Sequence, residues 1–177
     1  MRDRGLAGVS HRSVAAEAGV SNALTTYHFA SKLDLLEQAL RYATEETTEA
    51  LRRRAADLAN RRFSPEEAAA ELADLLVSRQ GDERLPVVSV YELYLASARL
   101  PALQPAMLAW SAAYLEVIEQ MLRACGIGDP ARAATVVMVT LDGLSVLDLA
   151  APDPDFERET LRPALDRLLR GLAATGP

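Results

Sequence analysis

Residues 21–28 bring together side chains that could read the edges of nucleic-acid bases. The run Ser-Asn-Ala-Leu-Thr-Thr-Tyr-His contains the amide of Asn22, which can form two hydrogen bonds to an adenine. The alanine and leucine beside it can contact a thymine methyl group. These residue types indicate a surface that could bind double-stranded DNA rather than a catalytic centre.

Helix start and stop signals place this run on the second of two short helices. Ser10 and Ser21 each suit the N-cap position, where a serine hydroxyl accepts an amide hydrogen bond from the first turn. Gly19 suits the left-handed residue that ends the first helix. Two short helices joined by such a turn form a helix-turn-helix, whose second helix enters the major groove of DNA. That helix is expected to run to Phe29, which faces the domain core together with Thr25.

Residues 5–40 resemble the DNA-binding segment of the tetracycline-repressor (TetR) family. The likeness rests on Ala-Gly-Val-Ser ending at Ser21, on Tyr-His-Phe ending at Phe29, and on Ser31-Lys32 followed by a pair of leucines. It implies a homodimer that presents one recognition helix to each half of a palindromic operator. It also implies a helical body that binds a small-molecule effector, which releases the protein from DNA.

The resemblance further implies that Tyr27 and Lys32 hold phosphates of the DNA backbone. Two departures from the family's pattern stand out. The pair Thr25-Thr26 occupies the place of a hydrophobic residue followed by an aromatic one, and only residues 1–6 precede the motif, so the family's first helix is expected to be largely missing. The complete set of predicted DNA-binding residues is Ser10, Ser21, Asn22, Ala23, Leu24, Thr26, Tyr27, His28 and Lys32.

Length and composition favour a helical protein with a sizeable core. Of the 177 residues, 50% are hydrophobic and 5% aromatic, and alanine and leucine dominate, which favours helices over strands. The net charge of −6 argues against a general nucleic-acid binder, but residues 1–32 carry four basic and two acidic side chains. The single cysteine, Cys125, allows no internal disulfide and fits a cytoplasmic location. No signal peptide or membrane span is predicted.

The rest of the chain reads as a series of helices, which favours an all-α fold. A DNA-binding domain is expected over residues 1–44 and a ligand-binding and dimerisation domain over residues 45–177. Residues 133–149 are apolar almost all round, which predicts a helix without a solvent-exposed face. Leucines follow in a heptad stripe at Leu161, Leu165, Leu168 and Leu172. This pattern predicts a homodimer formed through residues 130–174, and the family also dimerises through its last two long helices.

Capping and breaking signals set the expected helix limits. A long helix is expected from Lys32 to about Ala59, and Ser64-Pro65 with a glutamate three residues after the serine marks the next start. The remaining signals are a stop at Gly81-Asp82, a start near Pro86, a helix over residues 102–124 and a start at Asp153-Pro154.

The middle helices hold aromatic side chains that could line an effector site. Phenol and indole groups need polar partners when they are buried, and Glu92, Glu116 and Asp142 lie close in sequence to them. Since the family binds small molecules among its middle helices, the resemblance favours a largely apolar pocket, although ordinary core packing accounts for each residue equally well. The predicted lining residues are Tyr91, Tyr94, Met107, Trp110, Tyr114 and Met138.

Neither a metal site nor a catalytic centre is predicted, and no cofactor is expected. The two histidines, His11 and His28, lie far from Cys125 in sequence and lack metal-ligand spacing. The favoured interpretation is a ligand-responsive transcriptional repressor without enzymatic activity. Two alternatives stay open: a helical small-molecule-binding or interaction dimer that does not bind DNA in this form, and a small enzyme that uses Cys125 or paired carboxylates.

Overall fold

The computed structural model describes residues 5–80 and 87–174 of the chain. Within these ranges the chain forms α-helices and short turns but no strand, which confirms the predicted all-α class. Eight α-helices occur in the described ranges: α1 (His11–Ala18), α2 (Asn22–His28), α3 (Lys32–Leu58), α4 (Pro65–Gln80), α5 (Val87–Ser97), α6 (Gln104–Ala124), α7 (Pro130–Ala150) and α8 (Arg162–Ala174).

The chain divides into two compact units. Unit 1 consists of Met1–Thr47 and Asp82–Trp110, and unit 2 consists of Thr48–Gly81 and Ser111–Pro177. The division falls inside α3 and inside α6, so each of these helices contributes to both units. The predicted domain limit at residue 44 stays a prediction.

The first two helices of unit 1 begin and end where capping chemistry places them. The Ser10 hydroxyl accepts a hydrogen bond from the Ser13 amide (3.1 Å), and the Ser13 hydroxyl accepts one from the Ser10 amide (2.9 Å). Gly19 ends α1 in the left-handed conformation at φ 66°. Ser21 caps α2 by accepting from the Leu24 amide (3.2 Å). These caps are the predicted ones, and α2 ends one residue earlier than expected because Phe29 is already extended.

Unit 2 is held by α4, which packs against α8. As predicted, α4 begins with a capping box. The Ser64 hydroxyl accepts a hydrogen bond from the Glu67 amide (3.2 Å), and the Glu67 carboxylate accepts one from the Ser64 amide (2.8 Å). Ion pairs of 2.8 Å join α4 to its neighbours, from Glu71 to Arg54 of α3 and from Asp74 to Arg162 of α8. The largest fully buried side chains of the unit are Leu58, Leu72, Val117, Ile118, Met121, Leu122, Val137, Leu161, Leu165 and Leu169.

Several helix limits differ from the predicted ones. A 3-10 turn at Pro101–Leu103 precedes α6, which therefore begins at Gln104 rather than at residue 102. Regular helix in the last element begins only at Arg162, after a π-helical turn at Glu157–Leu161. The long helix α3 ends at Leu58, one residue before the expected end. The predicted signals at Gly81-Asp82 and Pro86 lie outside the described residues.

The leucines of the last helix are buried with a four-residue repeat rather than a heptad repeat. Leu161, Leu165 and Leu169 are fully buried, whereas Leu168 and Leu172 are half-buried. Because α8 packs against α4 of the same chain, the residues on its inner face are spaced by about one helical turn.

Helix α7 is apolar all round, as predicted, but a single chain does not cover all of it. Val136, Val139, Val146 and Leu147 are 46–66% exposed. Of the described helices, α7 alone is long and apolar enough by composition to cross a membrane. Its most apolar stretch of 18 residues has a mean hydropathy of 1.6, and 33% of this stretch is buried. Core helices of soluble proteins also pass this test, so the helix by itself is weak evidence of a membrane span.

Candidate functional site

The recognition helix α2 exposes nearly all of its side chains. Of the residues in Asn22–His28, Thr25 is the one that is buried, at 5% exposure. Leu24 is 44% exposed and Tyr27 is 84% exposed. The predicted base-reading residues Asn22, Ala23, Leu24 and Thr26 therefore all reach solvent. Their binding role remains a prediction.

The two adjacent threonines of α2 lie in opposite environments. The buried Thr25 hydroxyl donates to the Asn22 carbonyl (2.8 Å) and lies 3.3 Å from the His11 carbonyl, which ties α2 to α1. The exposed Thr26 hydroxyl reaches only carbonyls of its own helix, those of Asn22 and Ala23 at 3.1 and 3.0 Å. The first threonine thus fills the place of a core residue, as predicted, and the second leaves the outer face small and polar.

The exposed end of α2 carries an aromatic pair. The rings of Tyr27 and His28 meet edge to face, with centroids 5.2 Å apart and an interplanar angle of 84°. Such an arrangement favours one relative orientation of the rings at a fully accessible site. The Tyr27 side chain is thus open to solvent, and its contact with a DNA phosphate remains a prediction.

The three predicted DNA-binding residues outside α2, Ser10, Ser21 and Lys32, are all engaged with protein groups. Ser10 is exposed, but its hydroxyl already takes part in the capping of α1. The Lys32 ammonium donates to the Leu6 carbonyl at 3.0 Å. Because an ammonium group carries three protons, this bond leaves Lys32 two further donors.

In unit 1 the predicted effector residues form a chain of aromatic contacts. The ring centroids of Tyr91 and Tyr94 are 6.5 Å apart, and those of Tyr94 and Trp110 are 6.3 Å apart. Trp110 is 2% exposed and Met107 is 3% exposed, while the two tyrosines are half-buried. The structure therefore brings together three of the six predicted residues.

The other two aromatic or sulfur-containing effector candidates belong to unit 2. Tyr114 is 5% exposed and Met138 is 8% exposed. Two surface hollows of about 270 and 310 Å³ also lie in this unit. Arg61 and Arg62 line both hollows, and none of the predicted effector residues lines either of them.

The chemistry of Cys125 does not favour a nucleophile. The thiol is half-buried and lies 3.9 Å from the Ser64 carbonyl. Burial, reinforced by the negative charge of Glu67, raises the pKa of the Cys125 thiol to about 11. The reactive thiolate is therefore scarce at neutral pH. In the described ranges, no group of three or more His, Cys, Asp or Glu residues could hold a metal ion.

Glu92 is one of the three acidic residues that the sequence places near the buried aromatic groups, and in the structure it binds a backbone group. Its carboxylate accepts a hydrogen bond from the Leu6 amide at 3.2 Å. The two residues are 86 positions apart in the chain. Gly5, which no sequence argument selected, lies against the same carboxylate. The only local signal was an acidic side chain within an apolar helix.

Family comparisons cover both parts of the chain. The family model described as "Bacterial regulatory proteins, tetR family" matches residues 1–39. The model described as "Tetracyclin repressor-like, C-terminal domain" matches residues 63–171. A comparison with curated protein sequences finds no match.

Solved structures with similar sequences extend over nearly the whole chain. The multidrug binding protein EbrR complexed with proflavin is 38% identical, over 92% of this chain and 89% of that one, with a TM-score of 0.63. The EbrR complex with ethidium is 35% identical, over 94% and 90% of the two chains, with a TM-score of 0.64. The protein SCO1917 from Streptomyces coelicolor A3, described as a member of the TetR family, is 38% identical over 95% and 90%, with a TM-score of 0.68.

Proposed function

The chain belongs to the tetracycline-repressor family, and from this premise we propose that it represses transcription and is released from its operator by a flat aromatic cation. Members of this family are soluble, ligand-responsive transcriptional regulators that bind operator DNA as dimers, and they are generally not enzymes. For this chain we propose repression rather than activation, the class of effector, and the residues that bind DNA and effector. We also propose that it is cytoplasmic and has no enzymatic activity.

The observation that carries the DNA-binding part of the proposal is the bare outer face of α2. We assign base contacts to Asn22, Ala23, Leu24 and Thr26, because all four are exposed and their groups suit adenine or thymine edges. We propose that the remaining predicted residues contact DNA phosphates and orient the recognition helix in the groove. These residues are Ser10, Ser21, Tyr27, His28 and Lys32. We propose that this DNA-binding domain extends to residue 44 and that residues 45–177 serve effector binding and dimerisation.

The uncovered face of α7 supports a homodimer formed through residues 130–174. Val136, Val139 and Val146 are exposed and recur at helical spacing on one side of α7. Gly143 lies within this stripe, and a Cβ atom placed on it would have open space around it. A two-fold axis through such a face gives two recognition helices, which suits a palindromic operator whose half-sites lie about one helical turn apart, roughly 34–36 Å.

Aromatic residues in the middle helices support the proposed effector class. EbrR was solved with proflavin and with ethidium, and it shares 38% and 35% identity with this chain in those two complexes. Rings of tyrosine and tryptophan attract cations through their negative faces and stack on flat aromatic molecules. We therefore propose that Tyr91, Tyr94, Met107 and Trp110 of unit 1 line the effector site, and the roles of Tyr114 and Met138 stay predictions.

Selection of bound sequences from random DNA, with the purified full chain, tests the DNA-binding proposal. The expected result is a palindromic site. Because proflavin and ethidium also intercalate into DNA, their binding is measured by fluorescence with the DNA-free chain, where it should saturate. Tyr27→Ala serves as the control variant, because it removes an exposed side chain of the recognition helix and should reduce the recovery of that site. Recovery of no DNA would support the alternative of a helical dimer that does not bind DNA, and the absence of saturable binding of proflavin or ethidium would refute the effector class alone.

A further inference from the structure

The peptide unit of Leu6 is held from both sides by oppositely charged side chains. Its N–H group donates to Oε2 of Glu92, on α5, at 3.2 Å. Its carbonyl accepts from the Lys32 ammonium, at the start of α3, at 3.0 Å. All three residues belong to unit 1, and α5 also packs against the 3-10 turn that begins at Leu6. The segment that leads into the helix-turn-helix is therefore fixed by two separate elements.

Gly5 allows the chain to pass directly over the Glu92 carboxylate. Its φ of 53° lies in the left-handed region, which residues other than glycine rarely adopt. A Cβ atom on Gly5 would lie 2.2 Å from Oε1 of Glu92, well inside van der Waals contact. The backbone conformation thus favours glycine, and any larger residue would push the Glu92 carboxylate away from its bond to Leu6.

From this geometry we infer that Glu92 is a positioning residue, which couples α5 to the DNA-reading head by fixing the segment before α1. The same helix carries Tyr91 and Tyr94, so a displacement of α5 at the aromatic cluster also moves the Glu92 carboxylate. A shift of roughly half an ångström would stretch its bond to Leu6 beyond hydrogen-bonding distance. The effector part of this inference rests on the proposed function, whereas the positioning part does not.

Hydrogen exchange and operator binding of three single variants test the positioning role. Glu92→Ala removes the acceptor and is expected to speed exchange of the Leu6 amide about tenfold and to weaken operator binding severalfold. Glu92→Gln keeps an acceptor oxygen and is expected to restore most of both. Leu95→Ala, which shortens a 75% exposed side chain of the same helix, is the matched control and should change neither. Unchanged exchange in Glu92→Ala would overturn the inference.

A double-mutant comparison gives a second test that does not depend on hydrogen exchange. Gly5→Ala should weaken operator binding more in the wild-type chain than in the Glu92→Ala chain, because removal of the carboxylate also removes the clash and leaves only the backbone strain. Thermal unfolding of each variant shows whether it is folded. Equal losses in the two backgrounds would contradict a contact between Gly5 and Glu92.

Proflavin separates failure of this inference from failure of the proposed effector class. Proflavin is added to the DNA-free chain, because it also intercalates into DNA. Its binding should speed exchange of the Leu6 amide in the wild-type chain and have a severalfold smaller effect on Glu92→Ala. Binding without faster exchange, or an undiminished effect in the variant, would overturn the coupling role. If proflavin does not bind the wild-type chain, the effector class is wrong, and the exchange and double-mutant measurements still decide whether Glu92 positions the head.

Discussion

The recognition helix and the aromatic segment of α5 and α6 belong to the same compact unit but use their aromatic residues in opposite ways. Tyr27 of α2 is 84% exposed, whereas Trp110 of α6 is 2% exposed. Seven residues make α2 too short to bury more than one inner side chain, Thr25, and its outer face is left to solvent. The longer helix α6 lies deeper, so its aromatic side chain contributes to folding as well as to any ligand site.

This contrast indicates where a substitution can change DNA binding without changing the free energy of unfolding. Exposed side chains contribute little to the free energy of unfolding, so a change on the exposed face of α2 should alter DNA binding alone. Buried side chains contribute several kcal/mol, so a change in the aromatic cluster should alter stability together with effector response. Matched substitutions at exposed and buried positions should therefore separate the two effects.

Trp110→Ala should lower the free energy of unfolding by about 3–5 kcal/mol, because a fully buried indole is replaced by a cavity. Urea denaturation measures the loss. Leu108→Ala is the matched control on the same helix, since Leu108 is 68% exposed, and its cost should stay within about 0.5 kcal/mol. A loss below about 1 kcal/mol for Trp110→Ala would mean that the site collapses around the smaller side chain.

Asn22→Ala should weaken binding to the selected operator by about 1–3 kcal/mol, because one bidentate base contact is lost. Titration of labelled operator measures the affinity, and titration of a scrambled duplex of equal length gives the non-specific affinity, which should not change. The free energy of unfolding should stay within about 0.5 kcal/mol of the wild-type value. An equal loss on both duplexes would show that Asn22 does not read a base.

The adjacent threonines offer the closest matched pair in the molecule. Thr25→Ala should cost about 1–2 kcal/mol of unfolding free energy, because it removes a buried hydroxyl that bonds the Asn22 carbonyl and reaches the His11 carbonyl. Thr26→Ala should cost at most about 0.5 kcal/mol, since its hydroxyl is exposed. Chemical denaturation of both variants in parallel makes the comparison, and equal costs would contradict the inward orientation of Thr25.

A pH dependence of stability is expected to arise from Cys125. The folded chain holds this thiol proton more tightly than the unfolded chain, because its pKa is raised from 9.0 to about 11. Stability should therefore fall as the pH rises from about 9 towards 11, where the unfolded state binds fewer protons. Denaturation of the wild type and of Cys125→Ala across this interval isolates the contribution. A parallel decline in both chains would assign the pH dependence to other groups.

Local chemistry made much of unit 1 predictable from the sequence. The serine caps, the left-handed glycine and the inward-facing threonine depend on neighbours within about four residues, and the structure confirms them at Ser10, Gly19, Ser21 and Thr25. The periodicity of apolar residues likewise predicted the all-α class and the apolar character of α7. These features follow from hydrogen bonds and side-chain spacing inside single helices.

Tertiary structure alone decided the features that join distant parts of the chain. No spacing rule relates Glu92 to Leu6, or places Asp82–Trp110 in one compact unit with Met1–Thr47. The four-residue repeat of buried leucines at positions 161, 165 and 169 depends on the packing of α8 and the preceding turn against α4 rather than on the heptad pattern. The physical reason is that the sequence fixes which faces are apolar or charged, whereas the partner of each face is chosen by packing among all the helices at once.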